Sequence, residues 1–164
     1  KKHSKPIRVA TKTLGICPGS EEVYLALRGL PTLNLRMKQI EDNALKMAIK
    51  LSNHPLVETV YHPALQTTKN HHIWKRDFSG SSGLFAFSLK KLHSQNKIKK
   101  MFSKLKIFKL GYSWGGYDSL ITFPPLSKRK FKSQLKGNLI RVYCGLEDSE
   151  DQIKDIITGL KALQ

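Results

Sequence analysis

The sequence predicts an α+β fold: a small antiparallel sheet of about four strands, covered by helices and preceded by a long linking helix. Apolar residues recur every three or four positions from 33 to 51, the period of a helix packed on a core. Apolar runs of strand length follow, GLFAFSL at 83–89 and LIRVYC at 139–144. Helical segments separate the pairs of neighbouring strands, and such neighbours favour antiparallel pairing.

The composition narrows the class of protein. The 164 residues suffice for one domain with a core, and no apolar run is long enough to span a membrane. Two lone cysteines, Cys17 and Cys144, form neither a metal-type pair nor a disulfide framework, so a cytoplasmic location is expected. The net charge of +17 would suit nucleic acid or an anionic surface. However, the lysines are spread along the chain, which indicates a general enrichment in lysine rather than a binding surface.

The first third of the chain predicts two helices. Ser20 follows a Pro-Gly turn and is expected to cap a short helix that runs to about Gly29. Pro31 interrupts the pattern. A long helix is predicted from Thr32 to the Asn-His-Pro stop at 53–55, with an apolar stripe typical of a core rather than of a methionine-rich partner groove.

The next segment predicts two strands. One is expected over 57–62, and another follows the Gly-Ser-Ser-Gly turn at 80–83, where a phosphate cradle is the weaker alternative. His62, His71 and His72 lack the helical spacing and the supporting carboxylate of a metal site. They are therefore predicted to be loop histidines, and no metal is expected.

The dense basic tract at 97–109 predicts an amphipathic helix that leads into a strand. Ile98, Phe102 and Leu105 fall at helical spacing, which favours a surface helix whose apolar face packs on the domain. The alternative is a helix that binds a membrane surface or an acidic partner.

The C-terminal part predicts a loop, a strand and a helix. Residues 124–136 are rich in proline and lysine, which is typical of a loop. After the strand at 139–144, Asp148 or Ser149 is expected to cap a final helix with an apolar inner face.

The stretch LGYSWGGYDS at 110–119 is the strongest candidate for a functional site. Each of its three glycines would destabilise a helix by about 1 kcal/mol relative to alanine, which argues against a helix here. Glycine also allows the backbone to approach a ligand closely. Ser113 and the N–H groups around it can donate to an anion. The aromatic rings of Tyr112 and Trp114 can line a pocket, and each side chain also has a polar group that can form a hydrogen bond.

Arg141 is the one charged residue in the apolar strand at 139–144. A planar guanidinium in such a strand suits bidentate binding of a carboxylate. A structural arginine paired with Glu147 or Asp148 would explain the same pattern, and the residues alone leave both interpretations open.

Five segments, taken in order, resemble the C-terminal third of the cystathionine beta-lyase branch of the trans-sulfuration family, whose members use pyridoxal phosphate (PLP). They are YLALRGL at 24–30, HPAL at 62–65, WKRDFSGSSGLF at 74–85, YSWGGYDSL at 112–120 and LIRVYCGLED at 139–148. The resemblance covers nearly the whole chain. WKRDF together with YSWGGY is specific to the beta-lyase branch, whereas the last segment is shared more widely.

The resemblance implies a PLP-dependent carbon–sulfur lyase of methionine biosynthesis, which splits L-cystathionine into homocysteine, pyruvate and ammonia. Cystathionine gamma-synthase or gamma-lyase is the alternative within the family. A non-catalytic basic module that binds nucleic acid or an anionic surface is the alternative outside it.

The resemblance also implies that the Schiff-base lysine and the phosphate ligands lie N-terminal to this region. Lys12 follows a threonine, as that lysine does, but the aromatic residue and the GHSD segment that come next in the family are missing. This chain is therefore expected to be inactive by itself, with no catalytic, cofactor-binding or metal-binding residue of its own.

By resemblance, Arg141, Ser113 and Trp114 bind the substrate carboxylate, and Tyr112 lines the pocket. These four residues are the predicted site.

The resemblance divides the chain at position 53. Residues 1–53 are expected to be a linker segment and helices that bridge to the cofactor domain, and residues 54–164 the small C-terminal domain. The implied partners are L-cystathionine or a related amino acid, the N-terminal cofactor domain, and further copies in a homo-oligomer, a tetramer in the family. Nucleic acid is not expected.

Overall fold

The structure is a computed structural model, and it describes residues 3–124, 126 and 135–164. The chain forms two compact units, Lys1–Leu35 and Arg36–Gln164. Most of the loop predicted at 124–136 lies outside the described residues.

The first unit contains two helices, α1 at Ser4–Thr13 and α2 at Ser20–Gly29. Helix α2 has the predicted bounds, but Gly19 rather than Ser20 is its N-cap, and no side chain caps it. Two glutamates in its first turn complement the helix dipole. Pro31 lies in a 3-10 turn, where its missing N–H costs no hydrogen bond.

The second unit holds the sheet, and α3 leads into it. The helices are α3 at Leu33–Ser52, α4 at His71–Asp77, α5 at Gln95–Phe102 and α6 at Ser149–Lys161. The strands are β1 at Val57–Tyr61, β2 at Leu84–Leu89, β3 at Lys109–Leu110, β4 at Leu120–Thr122 and β5 at Leu139–Tyr143.

The strand order is β1-β2-β5-β4-β3. All neighbours pair antiparallel except β3 and β4, which are parallel. The predicted α+β class is confirmed, with one strand more than the roughly four expected. The additional strand is β4, which has only three residues and is too short to produce a periodic signal in the sequence.

One face of the sheet carries the core. Successive strand side chains point to opposite faces, so Ile140 and Val142 of β5 join the core while Arg141 and Tyr143 point to the other face. Strands β1, β2 and β4 and helices α3, α5 and α6 supply further core residues. The apolar stripe of α3 is buried as predicted; its buried apolar residues are Ile40, Ala44, Met47, Ala48 and Leu51.

The basic tract packs as a surface helix. Helix α5 buries Ile98 and Met101, Phe102 is half-buried, and the lysines are exposed. The apolar face is thus occupied by the domain itself and is not available to a membrane.

The prediction that His71 and His72 are loop residues is wrong, because both lie in the first turn of α4. This helix has seven residues, too few for a helical period to stand out in the sequence. His62 follows β1 and is buried; its Nδ1 accepts from the Ala64 N–H at 3.2 Å. Among the described residues, no group of three His, Cys, Asp or Glu could hold a metal ion. No helix of the described parts is long and apolar enough to cross a membrane.

The first unit has no buried residue in either helix, and apolar side chains such as Tyr24 and Leu27 are 61% and 64% exposed. Helices gain most of their stability from packing an apolar face. We therefore expect the amides of α1 and α2 to exchange hydrogen at least about 100-fold faster than those of Met47 and Ala48 in α3. Residue-resolved hydrogen exchange measures this ratio. Equal protection of the amides in α1, α2 and α3 would contradict the finding that α1 and α2 bury no residue.

Candidate functional site

The candidate site lies where β5 meets the loop at 111–119 that joins β3 to β4. Arg141 is half-buried in the middle of β5, and its Nη2 donates to the Tyr112 carbonyl oxygen at 2.6 Å. A charge-assisted bond of this length is strong. It brings the predicted arginine against the predicted loop.

The alternative acidic partners of Arg141 are engaged elsewhere. The Asp148 carboxylate caps α6 by accepting from the N–H groups of Glu150 and Asp151 at 2.9 and 3.1 Å. The Glu147 carboxylate accepts from Ser119. Neither carboxylate pairs with Arg141, so a local ion pair does not explain the arginine.

The loop is held to β5 by its carbonyl groups. The Tyr143 hydroxyl donates to the Gly116 carbonyl at 2.8 Å, and the Leu146 N–H donates to the Tyr117 carbonyl at 2.8 Å. Together with the Arg141 bond, three carbonyls of this loop accept hydrogen bonds from β5 or from the residues just after it. Burial raises the pKa of the Tyr143 hydroxyl, which keeps it protonated and able to donate.

Glu147 anchors the far end of the loop. It accepts from the Ser119 N–H at 2.8 Å, from the Ser119 hydroxyl at 2.7 Å and from Gln152 Nε2 at 3.1 Å. Ser119 is fully buried, and its hydroxyl also accepts from the Gly145 N–H at 2.8 Å. This network fixes where the loop enters β4.

The outer surface of the loop is open. Tyr112 and Trp114 are 73% and 58% exposed, and Ser113 is exposed. Among the described residues, none accepts a hydrogen bond from the N–H of Ser113 or Trp114. Gly115 has φ +98°, a conformation that favours glycine and turns the chain here. Backbone N–H groups without an acceptor can bind an anion.

The predicted residues are brought together only in part. Arg141 contacts the backbone of Tyr112, and Ser113 and Trp114 follow directly in the chain, with their side chains on the open surface. A cleft of about 480 Å³ is lined by Tyr112 but by none of the other three. The four residues therefore form an exposed surface and not an enclosed pocket.

Two residues around the loop were not predicted in these roles. The sequence pattern did not single out Tyr143, although it lies two positions after Arg141 in a strand and so shares its face. Glu147 was considered only as a partner of Arg141, whereas it binds Ser119. The strand period could have indicated Tyr143; the partner of Glu147 depends on the tertiary fold.

Comparison with known proteins adds to this geometry. A family model described as Cys/Met metabolism PLP-dependent enzyme matches residues 1–161. The chain belongs to this family. The cystathionine beta-lyase MetC of Escherichia coli (strain K12) is 41% identical over 151 residues, which cover 89% of this chain and 38% of the relative.

Relatives with other names are similar to nearly the same degree. An L-alanine/L-glutamate racemase of Wolbachia pipientis wMel is 40% identical and covers 93% of this chain and 38% of the relative. A cystathionine gamma-lyase of Sus scrofa is 37% identical and covers 98% of this chain and 40% of the relative. The chain thus spans about two fifths of the length of these curated relatives.

The family is PLP-dependent, but neither Lys12 nor Ser81, the two groups of this chain that the sequence offers for such a contact, fits the cofactor. Lys12 lies exposed in α1, a helix with no buried residue. The Ser81 N–H and hydroxyl, the candidate phosphate donors, both donate to the Glu41 carboxylate at 2.7 and 3.0 Å. A carboxylate at that position would repel phosphate. We assign no PLP contact to this chain.

Gly145 packs directly under the loop, where a Cβ would collide with the Tyr117 carbonyl oxygen and lie 2.7 Å from Glu147 Oε2. We expect Gly145→Ala to lower the free energy of unfolding by about 1–3 kcal/mol, because the loop must move away from β5. Gly116→Ala is the control, since a Cβ there meets no atom within 4 Å. Urea unfolding of both variants measures the difference, and equal stabilities would contradict the tight contact.

Proposed function

We propose that this chain is the substrate-carboxylate-binding part of a PLP-dependent carbon–sulfur lyase of the cystathionine beta-lyase type. The observation that carries the proposal is the Arg141 guanidinium, whose Nη2 lies 2.6 Å from the Tyr112 carbonyl oxygen, directly before the exposed residues Ser113 and Trp114. No acidic side chain at 147 or 148 neutralises this arginine. A negatively charged ligand is the partner that its position favours.

The proposed grip uses groups that remain available on this surface. One Nη2–H of Arg141 serves the Tyr112 carbonyl, and the fork geometry of guanidinium leaves further N–H donors for two carboxylate oxygens. The Ser113 hydroxyl and the Trp114 N–H would add bonds to the same anion. Tyr112 and Trp114 would flank the substrate. A carboxylate held at several points fixes the orientation of the Cα–H bond, which is the contribution of this chain to the reaction.

The exposed surface supports a site whose other wall comes from elsewhere. We infer that the cofactor domain, outside this chain, supplies that wall and all contacts to PLP, and that residues 1–53 bridge to it. The exposed apolar side chains of α2 agree with such a role. A cytoplasmic homo-oligomer is part of the same proposal, and so is the absence of activity in this chain alone.

The choice of L-cystathionine as substrate rests on the YSWGGY motif and on the similarity to beta-lyases. A racemase and a gamma-lyase are similar to this chain to a comparable degree, so the reaction type has to be tested separately. The test is a fusion that places the preceding part of the Escherichia coli cystathionine beta-lyase ahead of this chain. We expect PLP-dependent release of homocysteine and pyruvate from L-cystathionine.

Other products would assign another reaction. Release of cysteine from L-cystathionine would indicate a gamma-lyase, and racemisation of L-alanine without cleavage would indicate a racemase. A folded, PLP-loaded fusion that does none of these would contradict the proposed role. The matched control is this chain alone, which should neither bind PLP in a Lys12-dependent manner nor cleave the substrate.

A further inference from the structure

Arg141 and Tyr143 hold the two ends of one short segment. They lie two positions apart on β5 and share a face of the sheet. The arginine binds the Tyr112 carbonyl at 2.6 Å, and the tyrosine hydroxyl binds the Gly116 carbonyl at 2.8 Å. The residues between these two attachment points are Ser113, Trp114 and Gly115.

The tyrosine ring is itself fixed. Tyr143 is 3% exposed, and a Cβ on Gly83 would lie 2.9 Å from its Cε2, so the ring packs directly on the Gly83 backbone. Leu84 and Leu120 pair with Tyr143 from the two neighbouring strands. A ring held on all these sides places its hydroxyl at one position.

Fixing the carbonyls constrains the N–H groups between them. Each peptide group is planar, with its carbonyl and its N–H on opposite sides. The Tyr112 carbonyl shares its peptide group with the Ser113 N–H, and the Gly116 carbonyl shares its own with the Tyr117 N–H, so these two peptide groups are fixed and rotation of the groups between them is restricted. The N–H groups of Ser113 and Trp114 have no acceptor among the described residues, and they stay available to a ligand.

We propose that Tyr143 is a positioning residue, whose hydroxyl keeps the segment 113–115 in the conformation in which it binds the substrate carboxylate. This inference rests on the proposed carboxylate site and deepens it. The two attachments differ in one respect: Arg141 shares its guanidinium between the Tyr112 carbonyl and the proposed substrate carboxylate, whereas the Tyr143 hydroxyl donates to the Gly116 carbonyl alone.

The test uses the whole 164-residue chain labelled with ¹⁵N and the variant Tyr143→Phe, which removes one oxygen and keeps the ring. Tyr117→Phe is the control, because it removes the same group from the same loop, and its hydroxyl has no hydrogen-bond partner among the described residues. Two quantities are measured: the backbone order parameters of Ser113, Trp114 and Gly115, and the dissociation constant for L-cystathionine from amide shifts.

We expect Tyr143→Phe to lower the three order parameters and to raise the dissociation constant about fivefold, the effect of one lost hydrogen bond. Hydrogen exchange of the Ile140 and Val142 amides should stay slow in both variants, which separates a local effect from general unfolding. Tyr117→Phe should change neither quantity.

The two readouts separate the inference from the proposed function. Unchanged order parameters in Tyr143→Phe would overturn the positioning role, whatever the ligand does. Absence of cystathionine-induced shifts at Ser113, Trp114 and Arg141 in the unsubstituted chain would instead contradict the carboxylate site. A higher dissociation constant together with lower order parameters at 113–115 in Tyr143→Phe supports both the positioning role and the carboxylate site.

Discussion

In a fusion that supplies the cofactor domain, Arg141→Ala should lower kcat/KM for L-cystathionine by about 30-fold to several thousand-fold, equivalent to about 2–5 kcal/mol. The variant loses the charge that pairs with the substrate carboxylate. It also loses the bond to the Tyr112 carbonyl, which positions the loop. Both losses misorient the Cα–H bond, so the effect should appear in kcat as well as in KM.

Arg141→Lys separates charge from geometry. Lysine keeps the positive charge but lacks the planar fork, so kcat/KM should fall by less than in the alanine variant. Lys100→Ala is the matched control for loss of a positive charge, since Lys100 is exposed on α5 and does not line the cleft next to Tyr112. Steady-state kinetics of the three variants measures the order. An Arg141→Ala fusion with near-normal kcat/KM would mean that the arginine is only structural.

Asp155→Ala should lower the free energy of unfolding of the chain by about 3 kcal/mol or more. The Asp155 carboxylate is 7% exposed and accepts from three successive backbone N–H groups at 2.8, 2.9 and 3.0 Å. These donors belong to Lys106, Ile107 and Phe108, the segment that leads into β3. Without the carboxylate, three N–H groups lose their acceptor, and the bond to the Phe108 N–H is a buried one.

Asp151→Ala is the control for Asp155→Ala. It removes an acidic side chain from the same helix, but Asp151 makes only an exposed ion pair with Lys154 at 3.2 Å. Such pairs contribute about 0–1 kcal/mol. Urea unfolding followed by circular dichroism measures both variants, and similar losses would show that the Asp155 network contributes little.

The helices with strong local signals were predictable from the sequence. The apolar stripe of α3 and the Asp148 cap of α6 depend on residues close together in the sequence, and both are present in the structure. Helix α1 was missed because its sequence is polar and basic and it buries no residue. Helix α4 was missed because seven residues are too few for a clear period.

The sheet was predictable in class but not in detail. The pattern of strands predicted antiparallel pairing, which holds for β1, β2, β5 and β4. The parallel pairing of β3 with β4 depends on the path of the loop between them, and no local signal specifies it. Long-range contacts of this kind are decided by the whole fold.

In the candidate site, too, the residues could be predicted from the sequence but their contacts could not. Arg141 stood out as a lone charge in an apolar strand, and Ser113 as a hydroxyl among glycines. The contact between Arg141 and this loop is made to the backbone carbonyl of Tyr112, and the residue type does not indicate which backbone carbonyl will accept such a bond. The roles of Tyr143 and Glu147 in holding the loop likewise follow from tertiary contacts.

The most direct test of the carboxylate grip is a thermodynamic cycle between Arg141 and the substrate. The fusion and its Arg141→Ala variant are each assayed with L-cystathionine and with an analogue whose carboxylate on the cleaved amino-acid half is a carboxamide. If the two groups pair, removing the carboxylate should cost the unsubstituted fusion about 2 kcal/mol more in kcat/KM than it costs the variant. Equal losses in both proteins would show that Arg141 does not bind the substrate carboxylate.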